Sequence, residues 1–236
     1  MDFFNLDTGR IIAGKYEVLY KLGSGWEGEV YKIVESATGI ECAAKLFYPN
    51  RNNGNRTAVN YAKKLHDLRD CPIVIKYHTQ EKITWRRMPI TVLISEYVEG
   101  RLLSEHLMSQ HGQRLSPFQA THLLYALASG LEGIHFHGCY HGDLHTDNII
   151  LSRVGLNYEL KFLDLYDPGG TKKDNIANDI CDSIRIFYDA LGGQKHYAKQ
   201  PGQVKEICCG LKRTLILGKF RNATALRLHL EALEWD

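Results

Sequence analysis

Two histidines, two aspartates and an asparagine fall within His141-Gly-Asp-Leu-His-Thr-Asp-Asn-Ile-Ile150, and a further aspartate stands at Leu163-Asp164-Leu165. Oxygen and imidazole groups at this density, immediately ahead of the strand-forming Ile149-Ile150-Leu151, are a poor investment for a core strand unless they face a cleft. Facing one, Asp143 offers a proton acceptor, and Asn148 and Asp164 offer hard oxygen ligands for a divalent ion. The plain structural reading of the same residues is a turn rich in Asx side chains leading into a strand. Asn148-Ile-Ile-Leu151 and Glu159 to Asp164 read as two short strands joined by a turn. That hairpin brings Asn148 and Asp164 to one edge, where their oxygens make a place for Mg²⁺ held against a polyphosphate.

The elements that must carry these residues are legible on either side. Ser116-Pro117 is a capping hydroxyl followed by proline at a first helical position. The helix it starts has Leu123, Leu124, Leu127, Leu131 and Ile134 as its apolar stripe and ends near Gly138. His135 and His137 lie at that end, lack an i,i+4 metal pair and read as structural. A second apolar helix runs from Asp179 to Leu191, and Gln203–Leu217 and Ala223–Leu233 supply further amphipathic helices. Upstream, Leu102–Gln110 reads as a helix, and Val98-Glu-Gly100 as a connector.

The first part of the chain is strand-rich. Tyr16–Leu22, Glu29–Val34 and Ile40–Phe47 alternate as strands, and the first two are joined through Gly23-Ser-Gly-Trp-Glu-Gly28. A G-x-G-x-x-G also marks dinucleotide-binding folds, but there it opens a helix, whereas Val30–Val34 continues as strand. A glycine hairpin of this kind presents backbone N–H groups to phosphates. Lys45 interrupts the apolar strand Ala43-Ala44-Lys45-Leu46-Phe47. It is either a strand lysine reaching outward or a buried cation aimed at phosphate. Arg56–Arg69 reads as a helix with Val59, Ala62, Leu65 and Leu68 near helical spacing, stopped by Pro72. Ile73–His78 and Ile90–Tyr97 complete five strands around one helix.

The chain has 236 residues with 44% hydrophobic and 24% charged content and a net charge of +2. That is room for one large domain or two lobes, with no electrostatic pull toward nucleic acid or a membrane surface. The start has no basic n-region followed by an apolar core, and no apolar run reaches membrane-spanning length, so a cytoplasmic location is expected. Cys42, Cys71, Cys139, Cys181, Cys208 and Cys209 form no CxxC pair and read as free thiols in a reducing compartment.

Over nearly its whole length, from about Tyr16 to Leu233, the chain resembles the protein-kinase-like superfamily. Gly23-Ser-Gly-Trp-Glu-Gly-Glu-Val30 is similar to the glycine-rich loop, Cys42-Ala-Ala-Lys45 to the lysine-bearing strand, and Glu96-Tyr97-Val98 to the adenine-binding hinge. His141-Gly-Asp143 with Asn148 resembles the catalytic loop, and Leu163-Asp164-Leu165-Tyr166 the metal-binding segment. The resemblance implies an α+β bilobal fold: a five-stranded antiparallel N-terminal lobe with one helix (1–97) and a mostly helical C-terminal lobe (98–236). It implies ATP and Mg²⁺. Gly23, Gly25, Gly28, Val30 and Ala43 would cover the nucleotide, with Glu96 and Val98 at the adenine. Lys45 would hold the α- and β-phosphates, Asp143 would serve as base, and Asn148 and Asp164 would hold the metal. Asp179 would anchor the backbone of the catalytic loop, and Ser95 would be a small residue behind the adenine.

Four departures from the pattern bear on function. No acid lies between Glu41 and Asp67, and Ala62 occupies the register of the helix glutamate that normally pairs with the lysine. Lys45 is thus left to Asp67, to Glu27 or to nucleotide alone. Gly142 replaces an arginine and His145 a lysine, which makes the loop more like those of aminoglycoside and choline phosphotransferases. Leu165-Tyr166 replaces Phe-Gly. Residues 165 to 178 are the only 14 between Asp164 and Asp179, so a substrate-docking loop has little room and loop phosphorylation is not expected to regulate. The expected activity is ATP–Mg²⁺-dependent phosphotransfer to serine or threonine hydroxyls. A small-molecule phosphoacceptor, or a binding module without catalysis, are the alternatives.

Overall fold

The computed structural model describes residues 4–154 and 157–234. Its contacts divide into two units, Met1–Arg69 with Ile75–Val98, and Asp70–Val74 with Glu99–Asp236. The first is a sheet with a helix and the second is mostly helical, the α+β arrangement expected.

In the first unit an antiparallel sheet runs in the order β1-β2-β3-β4-β6-β5. Its strands are β1 (Ile11–Ile12), β2 (Tyr16–Ser24), β3 (Gly28–Glu35), β4 (Glu41–Phe47), β5 (Tyr77–Trp85) and β6 (Met88–Glu96), with helix α1 at Arg56–Asp67. The two-residue period of the strands sorts side chains onto two faces. Tyr31, Ile33, Cys42, Ala44, Leu46, Val92 and Ile94 form one buried face together with Phe4, Leu6, Ile12 and Tyr16. Val30, Ala43, Lys45 and Leu93 alternate with them and so belong to the other face.

Six strands stand where five were expected, the added one being β1 beside β2, and the chain ahead of it packs on the same sheet. Phe4 and Leu6 are buried, and the Phe4 ring stacks on Tyr48 at 5.7 Å. Glu29, fully buried, accepts hydrogen bonds from the N–H of Phe4 (2.9 Å) and of Asn5 (3.3 Å) and from the hydroxyl of Tyr31. Lys21 reaches it at 3.1 Å. A carboxylate without a visible apolar period tethers this segment, so nothing in the hydrophobic pattern announced it.

The strand expected at Ile73–His78 is displaced. Residues 70–74 belong to the second unit: the carbonyl of Ile73 accepts the N–H of Phe162 at 2.6 Å, and Val74 makes a parallel bridge to Phe162. The strand itself is β5, which continues to Trp85 and pairs Trp85 with Met88 across a two-residue turn. Arg86 and Arg87 both have positive φ, 47° and 67°. Such a turn is ordinarily signalled by Asn-Gly, so two arginines conceal it.

The second unit begins with β7 (Arg101–Leu102), α2 (Leu103–Ser109) and α3 (Pro117–Phe136). Ser116 and Gln119 cap α3 reciprocally at 3.2 and 3.0 Å. Then come β8 (Ile149–Val154) and β9 (Asn157–Phe162), which form a small sheet in the order β7-β8-β9. The turn expected between β8 and β9 falls partly outside the described residues. Helix α4 (Lys172–Ala190) packs on α3, as does α8 (Ala223–Glu231). The stripe Leu123, Leu124, Leu127, Leu131 and Ile134 is buried with Ile180, Ile184, Phe187, Leu226 and Leu230. Each such side chain contributes roughly 1.5–3 kcal/mol on burial.

Helix α4 starts seven residues before Asp179, where the apolar pattern was read to begin. Its first two turns, Lys-Lys-Asp-Asn-Ile-Ala-Asn, are polar, but Thr171 caps them through the N–H of Asp174. The helix expected at Gln203–Leu217 is broken into α6 (Gly202–Cys208) and α7 (Arg213–Lys219), following α5 (Gly193–Tyr197). Cys209, Gly210 and Leu211 all have positive φ at the break. Among the described residues no helix is long and apolar enough to cross a membrane.

Burial pushes the Glu29 carboxyl upward, but Tyr31, the two backbone N–H groups and Lys21 outweigh it and hold it down to about 2 from 4.5. Its stabilisation is therefore present above pH 4.5 and lost as pH falls toward 2. Glu29→Gln should lower unfolding free energy by about 2 kcal/mol at pH 7. In denaturant titrations the gap to the parent should narrow below pH 4.5.

Candidate functional site

The glycine-rich hairpin and its neighbours form one half of the expected residues. Sheet register sets Gly23 opposite Val30, Val30 opposite Lys45, and Lys45 opposite Leu93, so these positions run in line across β2, β3, β4 and β6. Ala43 lies opposite Ser95, which is buried. The three glycines differ in what demands them. A Cβ at Gly28 would lie 1.9 Å from the carbonyl oxygen of Leu46, so pairing of β3 with β4 requires glycine there. At Gly23 and Gly25 a Cβ would meet no described atom within 4 Å, and the fold itself leaves glycine unexplained.

Lys45 is 7% exposed, which decides between the two readings of that residue in favour of the buried cation. Its Nζ lies 2.7 Å from Oε2 of Glu27, one of the three partners considered, and 4.8 Å from the centroid of the Tyr61 ring. Helix α1 buries Ala58, Tyr61 and Leu65, one position earlier than the face read through Val59 and Ala62. Ala58, Tyr61 and Leu65 fall at i, i+3 and i+7, whereas Val59, Ala62, Leu65 and Leu68 run at a strict three-residue step, and the aromatic ring was the better marker. At the end of β6, the N–H of Glu96 donates to the carbonyl of Lys76 (2.9 Å), and the N–H of Lys76 donates to the Glu96 carboxylate (3.0 Å). This clamp fixes the backbone leading to Val98.

The other half lies in the second unit. Asn148 is buried, and its amide donates to the carbonyl of Asp143 (2.8 Å) and approaches the Asp143 carboxylate (3.4 Å). The N–H of Leu163 donates to the carbonyl of Asn148 at 2.8 Å, which ties Asp164 to the same cluster. Asp164 has φ of 49°, in the left-handed region that aspartate enters more readily than most non-glycine residues. Asp143 is exposed, with His145 Nε2 3.6 Å from its Oδ2. Because His145 Nδ1 accepts the N–H of Asp147 (3.2 Å), the neutral ring carries its proton on Nε2 and presents it toward Asp143. Asn148 and Asp164 offer oxygen only, a donor set suited to Mg²⁺, which takes its remaining ligands from water and phosphate.

The backbone of the loop from His141 to Asn148 is held by a buried carboxylate. Asp179, fully buried, accepts from the N–H of His141 (2.8 Å) and of Gly142 (2.9 Å), with His135 Nε2 3.0 Å away. His135 and His137 are structural as read, the latter 2.9 Å from the Gly133 carbonyl through Nδ1. Gly142 has φ of +85°, and a Cβ there would sit 2.3 Å from the carbonyl oxygen of Tyr166. Its identity follows from the short segment packed over it. Only seven residues, 165–171, separate Asp164 from α4. The N–H of Tyr166 donates to the His141 carbonyl (2.8 Å), Tyr140 donates to Asp167 (2.7 Å), and buried Asn175 donates to the Gly169 carbonyl (3.0 Å). Tyr140 and Asn175 were missed in the sequence because neither residue type nor spacing marks a side chain that bonds to the 165–171 segment.

The protein kinase domain family matches residues 16–176. The chain belongs to the protein kinase family. Cyclin-dependent kinase 15 of Mus musculus is 30% identical over 197 residues, 80% of this chain and 42% of the relative. Cyclin-dependent kinase 14 of Xenopus tropicalis is 33% identical over 195 residues, 79% and 42%. Cell division control protein 2 homolog C of Antirrhinum majus is 29% identical over 191 residues, 78% and 63%. The chain thus spans less than two thirds of each of these relatives. Among solved structures, the Mycobacterium tuberculosis PknI kinase domain aligns with a TM-score of 0.66 over 96% of this chain and 98% of that one, at 15% identity. That likeness is one of fold.

Gly142→Ala forces a side chain into the left-handed region against the Tyr166 backbone and should destabilise by about 2–3 kcal/mol, read from denaturant midpoints. Asp182 gives a change of opposite sign. Burial, then the charges of Asp179 and Asp143, push its carboxyl up to about 6 from 3.8. Ionised Asp182 therefore weakens the fold increasingly as pH rises from 3.8 to about 6. Asp182→Asn should add about 1–2 kcal/mol at pH 7.5, an advantage that disappears at low pH in the same titration.

Proposed function

We propose that the chain transfers the γ-phosphoryl group of ATP, with Mg²⁺, to serine or threonine hydroxyls of a protein. The observation that carries this reading is the joining of Asn148 to both Asp143 and the backbone of Leu163. It ties a base and two oxygen ligands into one hydrogen-bonded cluster. Gly23 and Gly25 let the hairpin backbone approach the phosphates, and Gly28 keeps that hairpin seated on β4. Val30 and Ala43 give the base an apolar bed, and the backbone of Glu96 and Val98 recognises its edge, with the small Ser95 behind. Lys45 holds the α- and β-phosphates.

Asp143 orients the acceptor hydroxyl and takes its proton as the oxygen attacks phosphorus and the bond to the β-phosphate oxygen breaks. Asn148 and Asp164 hold the metal, which when bound neutralises charge on the phosphates. Positioning and charge compensation supply most of the acceleration, so few reactive groups are needed. The 165–171 strap, with the Thr171 hydroxyl engaged in capping α4, suits a kinase whose activity does not await phosphorylation of that segment.

Incubation with labelled ATP, Mg²⁺ and protein acceptors should give phosphotransfer that Asp143→Ala lowers by roughly 10²–10⁴-fold. In thermal-shift assays ATP at 100 times its Kd should stabilise by about 2.7 kcal/mol, and Asp164→Asn should remove the Mg²⁺-dependent part. Labelling confined to small molecules would transfer the reading to a metabolite or antibiotic acceptor. Metal-dependent binding without transfer would make the chain a nucleotide-binding module.

A further inference from the structure

We infer that Glu27, in the glycine-rich hairpin, is a positioning residue for Lys45 and takes over the work of the missing helix carboxylate; this rests on the kinase reading above. A nearly buried ammonium needs a counter-charge, since desolvation without one is costly. Helix α1 runs Arg-Thr-Ala-Val-Asn-Tyr-Ala-Lys-Lys-Leu-His-Asp and places its one acid, Asp67, at its last position. What it turns toward Lys45 is the face of Tyr61. A ring quadrupole steadies a cation without neutralising it. Glu27 supplies the negative charge at 2.7 Å, with both side chains largely buried, 9% and 22% exposed.

The backbone around Glu27 is built to keep that carboxylate in place. The carbonyl of Glu27 accepts the N–H of Tyr48 at 2.8 Å, three residues beyond Lys45. The N–H of Gly25 donates to the carbonyl of Gly28 at 2.9 Å and closes the tip. Trp26 stacks against the Arg51 guanidinium at 3.2 Å. The hairpin is thus fastened at several points to the segment that follows β4. A lysine ammonium has three donors, so a contact with Glu27 is compatible with a contact to phosphate oxygen. Glu27 therefore acts together with nucleotide instead of competing with it. The element that closes over the phosphates also aligns the cation, so the setting of α1 does not gate the site.

The test is a double-mutant cycle with a rescue, read as kcat and KM for ATP. Glu27→Gln should lower kcat roughly 10²-fold, the cost of a displaced catalytic contact, with a smaller rise in KM. Glu27→Asp should recover part of the loss. In the Lys45→Met background Glu27→Gln should have no further effect, since nothing remains to be positioned. Adding Tyr61→Glu to Glu27→Gln, which returns a carboxylate to the helix, should restore kcat at least about tenfold. Unchanged or increased kcat in Glu27→Gln, or additive losses in the cycle, would overturn the inference. If the parent protein binds Mg²⁺–ATP but transfers no phosphate, the kinase reading fails separately. The same cycle is then read in ATP affinity, where non-additivity upholds the Glu27–Lys45 linkage and additivity overturns it.

Discussion

The buried carboxylate of Asp179 is the contact on which the second unit depends. It gathers two consecutive backbone N–H groups, from His141 and Gly142, onto a helix that is itself held in the core by Ile180, Ile184 and Phe187. A carboxylate with two backbone donors and an imidazole around it has few alternative positions, because moving it would strand several polar groups away from water. The loop from His141 to Asn148 therefore inherits the rigidity of α4. From there the order passes outward by hydrogen bonds: His141 to Tyr166, Asn148 to Asp143, and Asn148 to Leu163. The exposed Asp143 owes its fixed place to groups that solvent scarcely reaches.

In the first unit the equivalent economy is achieved by register. Antiparallel pairing aligns Gly23, Val30, Lys45 and Leu93 across four strands, and a one-residue slip of β4 would turn Lys45 onto the apolar face. The N-terminal segment opposes such a slip. Its Phe4, Leu6 and Ile12 cover that apolar face, and its backbone is held by Glu29, one residue past Gly28 in the hairpin. Apolar packing and a buried carboxylate thus meet at the root of the glycine-rich turn.

How much of this could be read from the sequence depended on how local each cause was. The residues of the cluster were legible because Asp143, Asn148 and Asp164 lie close along the chain and carry unusual chemistry for strand entrances. The cap at Ser116 and the stripe on α3 were legible because capping and helical period are local. The strand β5 was misplaced because its turn uses two arginines at positive φ, a conformation that neither residue type advertises. The early start of α4 was missed because polar turns give no period, although Thr171 and Asp174 form a readable cap. The partner of Lys45 stayed open among three choices, because an ion pair joins residues across a sheet and sequence distance does not rank them. Gly142 looked like the loss of an arginine; in the structure it is a steric requirement imposed by Tyr166.

The placement of residues 70–74 has a consequence for how the chain can be divided. Covalent continuity passes from one unit to the other three times, after Arg69, after Val74 and after Val98. A single cut at any of these points leaves a segment of one unit attached to the other: 75–98 after a cut at Arg69, 70–74 after a cut at Val98, and both after a cut at Val74. The segment 70–74 is not idle: Ile73 supplies the acceptor for the Phe162 N–H and fills the space beside Gly130, where even a methyl group would collide with it. Residues 99–236 alone would carry a buried donor without its acceptor and an open notch on α3. The two units are thus interlaced in their threading, and the second is complete only with five residues that lie within the sequence of the first.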